Sequence, residues 1–203
     1  MEKPFWEQAY KDDSVTAFSK GATKDIEKFW TLFPVGGRVL DVGCGEGRNS
    51  IFLAEKGFTV DAFDISEFGI AKAKRIAERV GVTVNFMCID LAEYYFESDY
   101  DVILSHGVLH LCEKAVRVNF IKNAKLHTTI GGYNAFCIFT NRVPAAPDMI
   151  PFTKSLFDVG ELPNCYCKWE LCHHLEDVFE DSHPGGIHHK HARERIIARK
   201  KGL

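Results

Sequence analysis

Hydrophobic positions recur along the first 140 residues at two alternating spacings. Ala22, Ile26, Phe29, Trp30 and Phe33 fall at helical spacing, which predicts a helix that ends near Pro34. Short apolar runs predict five strands, RVLDV, FTVDAFD, VTVNFMCID, YDVILSH and YNAFCIFT (38–42, 58–64, 82–90, 100–106 and 133–140). Helical patterns lie between these strands. One covers about 48–56, one runs from Ser66, which can cap it, to Val80, and one surrounds Phe120. Such alternation predicts a parallel sheet with helices on both faces.

The pattern changes after Thr140. NRVPAAPDMIPF (141–152) holds three of the seven prolines and predicts a surface connection, because proline interrupts helices and central strands. KWELCHHLEDVFED and HHKHARERIIARK (168–181 and 188–200) predict two strands, which the turn residues of SHPGG join. The predicted fold class is therefore α/β, a Rossmann-like open sheet with mostly parallel strands and a C-terminal antiparallel hairpin.

Composition restricts the function classes. The net charge of −3 argues against a protein that binds the nucleic-acid backbone, and we expect no nucleic-acid partner. No run approaches the roughly 18 consecutive apolar residues of a membrane span. Seven scattered cysteines and a polar beginning predict a protein of the reducing cytoplasm. The length of 203 residues predicts a single domain. We expect no membrane partner and a monomer or homodimer.

The segment LDVGCGEGRNS (40–50) carries the strongest chemical signal. A strand that ends at Gly43, Gly45 and Gly47 lets a ligand approach bare backbone, and the next helix offers unpaired N–H groups. A dinucleotide motif needs a third glycine where Arg48 stands, so a nicotinamide oxidoreductase is a weaker alternative. Asp41, Asp64 and Asp90 fall at three successive strand ends and predict a ligand crevice at that edge of the sheet.

Asp41 followed by G-x-G-x-G resembles the first motif of the class I S-adenosylmethionine-dependent methyltransferases. The resemblance implies S-adenosyl-L-methionine as cofactor and S-adenosyl-L-homocysteine as product. Asp41 would place negative charge near the ammonium group of the cofactor. Asp64 would accept hydrogen bonds from the ribose hydroxyls, and Asp90 would accept one from the adenine amino group. The cofactor-binding residues implied are Asp41, Gly43, Gly45, Gly47, Arg48, Asn49, Asp64, Ile65, Asp90, Leu91, Ser105 and His106. LSHGVLH (104–110) lacks the Asn/Asp-Pro-Pro-Tyr motif, which argues against adenine or glutamine nitrogen as acceptor; His110 is interpreted as a packed or solvent-facing histidine.

A narrower resemblance follows from Arg48-Asn49-Ser50 with FLAEKGF (52–58), from GGYNAFCIFT (131–140) and from the closing IIARK (196–200). These segments are similar to the tellurite-resistance (Teh-type) methyltransferases. The resemblance implies methyl transfer to a small soft nucleophile such as tellurite or selenite. It divides the domain into a helical lid (1–35), a cofactor-binding core (36–140) and a substrate-side region (141–203). A thiol or thiopurine S-methyltransferase and an inactive sensor of the cofactor remain alternatives.

The hairpin histidines are the candidate substrate residues. His183 matches the family's substrate-facing histidine, but Pro184 stands where the family has arginine, so His188, His189 or His191 could take that role. The predicted catalytic residues are His183, His189 and Tyr10. Tyr10 belongs to the aromatic segment FWEQAY (5–10), which predicts a lid over the cofactor or a helix packed on the sheet.

A metal site is the alternative reading of the same histidines. His189 and His191 would share one face of a strand, and Cys165, Cys167 and Cys172 lie nearby in sequence. No C-x-x-C pair occurs and the family resemblance implies no metal, so we predict none. A solvated polar strand is the third possibility.

Overall fold

The structure is a computed structural model that describes residues 4–18, 21–181 and 188–202, together with the backbone of Ser182. Its contacts divide the chain into two compact units, one ending at Leu104 and one beginning at Ser105. Among the described residues, we find no helix with the length and apolar character that a membrane span requires.

The first unit alternates helices and strands as predicted. Its elements are α1 (Phe5–Tyr10), α2 (Lys24–Phe29), β1 (Arg38–Val42), α3 (Arg48–Glu55), β2 (Thr59–Asp64), α4 (Glu67–Val80), β3 (Asn85–Cys88) and the beginning of β4 (Tyr100–His106). β2 pairs in parallel with both β1 and β3. β1 and β2 are buried along most of their length, as expected for parallel strands covered on both faces. Ser66 caps α4 as predicted, since its Oγ accepts a hydrogen bond from Gly69 N at 3.0 Å.

The second unit ends in an antiparallel arrangement. Its elements are α5 (Lys114–Leu126), β5 (Thr128–Phe139), α6 (Glu161–Cys165), β6 (Glu170–Ser182) and β7 (His188–Arg199). β7 pairs antiparallel with β5 on one side and with β6 on the other. The proline-rich connection forms neither helix nor strand, as predicted, but Ala146 and Met149 within it are buried. The connection therefore packs onto this unit instead of lying wholly at the surface.

Two boundaries differ from the predictions for identifiable reasons. β5 begins at Thr128, before the glycine pair at which the apolar pattern begins. The ladder continues through that pair, because Gly131 N donates to Lys200 O and Lys200 N donates to Gly132 O, each at 2.9 Å. The third strand is shorter than its apolar run and covers only Asn85–Cys88. The α/β class with a C-terminal hairpin is confirmed, and the single-domain assignment stays a prediction.

Candidate functional site

The glycine turn after β1 is fixed in place by main-chain hydrogen bonds. Gly43 N and Cys44 N both donate to Phe63 O, at 2.8 and 3.0 Å, which fixes the turn to the end of β2. Gly45 and Gly47 have φ values of 56° and 81°, a region that side chains with a Cβ rarely adopt. The sequence therefore needs glycine here for its backbone conformation, and the role of these glycines in binding a cofactor stays a prediction.

Asp64 connects this turn to the start of α4. Its Oδ2 accepts a hydrogen bond from Gly45 N and its Oδ1 accepts one from Ser66 N, both at 2.8 Å. Burial raises the pKa of Asp64, while these two backbone donors act in the opposite direction. The structure thus places a carboxylate beside the glycine turn, where the sequence predicts it.

Asp41 lies behind the same turn, at the end of β1. Its side chain is buried, and its Oδ2 accepts a hydrogen bond from Ser50 Oγ at 2.6 Å. Burial raises the pKa of Asp41 from its ordinary 3.8 to about 6, although the Ser50 hydroxyl and the charge of Arg48 favour the ionised form. Asp41 is consequently an anion at neutral pH, held at an energetic cost.

Replacing Asp41 with asparagine is expected to stabilise the protein near neutral pH. The folded carboxyl binds its proton up to about pH 6 and the unfolded one only to 3.8, so the wild type loses stability as pH rises through that window. Asp41→Asn removes this loss, which amounts to at most about 3 kcal/mol above pH 6. Urea unfolding at pH 4, 5, 6 and 7 measures the difference between variant and wild type; a difference independent of pH would contradict the buried, titrating carboxyl.

The N-terminal segment lies over the glycine turn. Tyr10, the last residue of α1, is buried, and its ring packs against Gly45 and Gly69. A Cβ added at Gly45 would collide with the Tyr10 hydroxyl, and one added at Gly69 would lie 3.2 Å from the ring. Burial and the charges of Asp64 and Glu46 raise the pKa of Tyr10 well above its ordinary value. The phenol is therefore neutral and can donate a hydrogen bond, but it is a poor base; its catalytic role stays a prediction.

A buried lysine that the sequence analysis missed binds the N-terminal segment to the glycine turn. Lys72, on α4, is 1% exposed, and its Nζ lies 3.0 Å from Glu46 Oε2 in the glycine turn. The same Nζ donates to three main-chain carbonyls of the N-terminal segment, those of Ala9, Asp12 and Val15. Glu46 Oε1 in turn accepts a hydrogen bond from Ala17 N at 3.0 Å. We call Lys72 and Glu46 the clamp. The sequence feature that could have indicated it is a lysine among the buried positions of α4, next to Ala73.

Other predicted cofactor residues have varied surroundings. Asn49 is buried and its Oδ1 accepts a hydrogen bond from Thr23 N at 2.8 Å, so it anchors the start of α2. Asp90 Oδ1 accepts from Ala92 N at 2.8 Å, and Leu91 is buried. Ile65, next to Asp64, is 67% exposed, which suits an apolar contact with a ligand ring. The cofactor roles of these residues stay predictions.

Among the predicted residues of the second unit, the structure decides the interpretation of His110 but not the roles of the others. Ser105 Oγ is buried, with no hydrogen-bond partner within the part of the chain that the structure describes, and the roles of Ser105 and His106 stay predictions. His110 is the packed histidine of the two alternatives, since its ring stacks on Phe139 with centroids 4.3 Å apart. Burial lowers the pKa of His110 to about 3, so it is neutral. His183 lies outside the described residues.

Comparison with known proteins assigns the chain to a family. The family model described as tellurite resistance protein TehB matches residues 10–195. The chain belongs to the TehB family. A Haemophilus influenzae protein described as a probable S-adenosyl-L-methionine-dependent methyltransferase TehB is 32% identical over 170 residues, which cover 81% of this chain and 57% of that protein. This chain therefore spans little more than half the length of that TehB relative.

Solved structures agree with the TehB assignment. The crystal structure of TehB from Haemophilus influenzae has a TM-score of 0.76 at 29% identity and covers 87% of this chain and 61% of its own. A methyltransferase from Methanosarcina mazei has a TM-score of 0.68 at 20% identity, over 90% of this chain and all of its own, and shows the fold alone. The predicted class I methyltransferase fold and the predicted Teh-type family are confirmed, which leaves the nicotinamide alternative without support.

Proposed function

We propose that this chain is an S-adenosylmethionine-dependent methyltransferase that acts on a small soft nucleophile such as tellurite or selenite. The observation that carries the proposal is the Asp64 carboxylate hydrogen-bonded to Gly45 N in the glycine turn. Membership in the TehB family and the relatives described as probable methyltransferases support the same activity. A cytoplasmic location and a small-molecule substrate are part of this proposal.

The residues around the glycine turn fit the cofactor. Each Asp64 oxygen accepts one backbone N–H, and a carboxylate oxygen has a second lone pair that can accept from a ribose hydroxyl. The exposed Ile65 side chain would cover one face of the adenine. Asp41 supplies negative charge for the ammonium group, and a pKa of about 6 keeps it ionised at neutral pH.

The chemistry requires little of the protein beyond placement. When bound, S-adenosylmethionine supplies a methyl group that its sulfonium already activates. The chain must therefore align the acceptor and exclude water, which the Tyr10 segment over the glycine turn is suited to do. A tellurium or selenium oxyanion brings its own lone pair and needs no general base. A thiol needs a base, for which we propose His183, and we propose that His189 helps to hold an oxyanion.

The test is production of S-adenosylhomocysteine by the purified chain, followed by mass spectrometry, with tellurite, selenite and a panel of thiols. Turnover on the oxyanions supports the proposal, and turnover on thiols alone would move it to the S-methyltransferase alternative. Binding of S-adenosylhomocysteine without any turnover would indicate a sensor, and absence of binding would end the methyltransferase proposal.

Asp64→Asn tests the site itself. An asparagine has one acceptor oxygen in place of two, so the ribose contacts and the bonds to Gly45 and Ser66 compete for it. We expect S-adenosylhomocysteine to bind at least about tenfold more weakly, as for loss of one hydrogen bond to a charged group. Isothermal titration measures this affinity, and Asp13→Asn is the matched control because Asp13 is an exposed aspartate paired with Arg75. Equal affinity in both variants would exclude Asp64 from the site.

A further inference from the structure

The C-terminal hairpin carries a cluster of potential metal ligands on one face. In the β6–β7 register, Asp181 stands opposite His189 and Phe179 stands opposite His191. Alternate residues of a strand share a face, so the carboxylate and both imidazoles lie on the same side. Asp181, His189 and His191 each offer one ligand atom, and these three atoms lie within 4.8 Å of one another.

The two imidazoles point into the protein. The side chain of His189 is 5% exposed and His191 is 6% exposed, with ring centroids 4.5 Å apart. The His191 ring stacks on Phe139 at 4.6 Å and contacts Phe179 at 5.4 Å. These contacts contradict the solvated-strand interpretation for both histidines. They also fix the imidazole positions, which lowers the entropy lost when a ligand binds.

A second carboxylate stands behind His189. Asp148, from the proline-rich connection, places its Oδ1 3.3 Å from His189 Nδ1. Metal-binding histidines commonly have a carboxylate at the ring nitrogen that does not bind the metal, because it fixes the tautomer and the ring orientation. An imidazole with a carboxylate beside its Nδ1 would offer its Nε2 as the ligand.

The basic residues of the hairpin are engaged elsewhere. On the same face, the next cross-strand pair is Arg193 with Asp177, joined by hydrogen bonds of 2.8 and 2.9 Å. On the opposite face, Lys190 pairs with Glu180 at 3.3 Å. The cluster therefore combines two imidazoles with a carboxylate, and the neighbouring Arg193 already pairs with Asp177.

We propose that Asp181, His189 and His191 bind a divalent transition-metal cation, for which Zn²⁺ is the best match. Two imidazoles and one carboxylate are ordinary zinc ligands, and three protein ligands leave a fourth position for water or a small anion. Bonds of about 2.0–2.2 Å place tetrahedral ligand atoms about 3.4 Å apart, so atoms that lie within 4.8 Å of one another need to close by at most about 1.4 Å on binding. The sequence analysis considered a metal site with nearby cysteines as ligands. In this proposal the third ligand is Asp181, which lies with the two histidines in the described part of the chain.

The test is titration of the chelator-treated full chain with ZnCl₂ by isothermal calorimetry, with Co²⁺ as a spectroscopic probe. We expect one Zn²⁺ per chain, a higher melting temperature with Zn²⁺, and a visible absorption band with Co²⁺. His189→Gln and Asp181→Asn are each expected to weaken Zn²⁺ binding by at least about tenfold and to abolish the Zn²⁺-dependent rise in melting temperature. His188→Gln is the matched control, since His188 is the adjacent, exposed histidine of β7.

Three results would overturn this site. They are the absence of stoichiometric Zn²⁺ binding, an equal loss in His188→Gln, and unchanged binding in both ligand variants. Melting temperatures in chelator show whether each variant is folded, and the Co²⁺ spectrum of His189→Gln gives a second reading if Asp181→Asn unfolds. Zn²⁺ binding is measured without S-adenosylhomocysteine, so its failure is distinguishable from failure of the methyltransferase proposal.

Discussion

Replacing Lys72 with methionine is expected to lower the free energy of unfolding by about 3–5 kcal/mol. Methionine has a similar length and fills the space, but it leaves Glu46 buried without its cation and removes one donor from each of the carbonyls of Ala9, Asp12 and Val15. The buried Glu46 carboxylate without its cation accounts for most of the expected loss.

Urea unfolding of Lys72→Met measures this loss, and Lys74→Met is the control, because Lys74 is an exposed lysine of the same helix. The double variant Lys72→Met/Glu46→Gln removes both charges and is expected to be more stable than Lys72→Met alone. Limited proteolysis should cut the N-terminal segment faster in Lys72→Met than in the control. A loss below about 1 kcal/mol, equal to that of an exposed ion pair, would contradict the clamp.

The contrast between the glycine turn and the clamp shows what a sequence pattern can predict. Gly45 and Gly47 are found from sequence because left-handed backbone restricts the residue type locally. Lys72 contacts Ala9 across 63 positions, and no local periodicity encodes that pairing. An isolated lysine on the buried face of α4 signals only that some partner exists.

At the candidate metal site of the hairpin, too, local spacing predicts one part of the arrangement and long-range pairing decides the other. Strand alternation predicts that His189 and His191 share a face, because it depends only on spacing. The third ligand depends on how β6 and β7 are registered, and that register places Asp181 opposite His189. Cys165, Cys167 and Cys172 are close to these histidines in sequence, but within the described residues the register groups the histidines with Asp181. Asn49 is a parallel case, since its bond to Thr23 spans 26 positions.

Replacing Gly45 with alanine is expected to weaken S-adenosylhomocysteine binding by at least tenfold, a loss of about 1.4 kcal/mol or more. Gly45 has a φ of 56°, so alanine costs about 1–2 kcal/mol in backbone strain. Its Cβ would also overlap the Tyr10 hydroxyl and force the ring away from the turn. Both effects disturb the surface on which we propose that the cofactor binds.

Gly57→Ala separates the strain from the collision. Gly57 has a φ of 87°, but an added Cβ there meets no atom within 4 Å, so the variant carries the strain alone. We expect Gly57→Ala to lose stability and to bind S-adenosylhomocysteine within twofold of wild type, as measured by isothermal titration. Gly45→Ala/Tyr10→Ala relieves the overlap and should regain part of the stability that Gly45→Ala loses. If the two single variants bound S-adenosylhomocysteine equally, the ligand would not contact the glycine turn, and the chemistry would have to lie elsewhere in the chain.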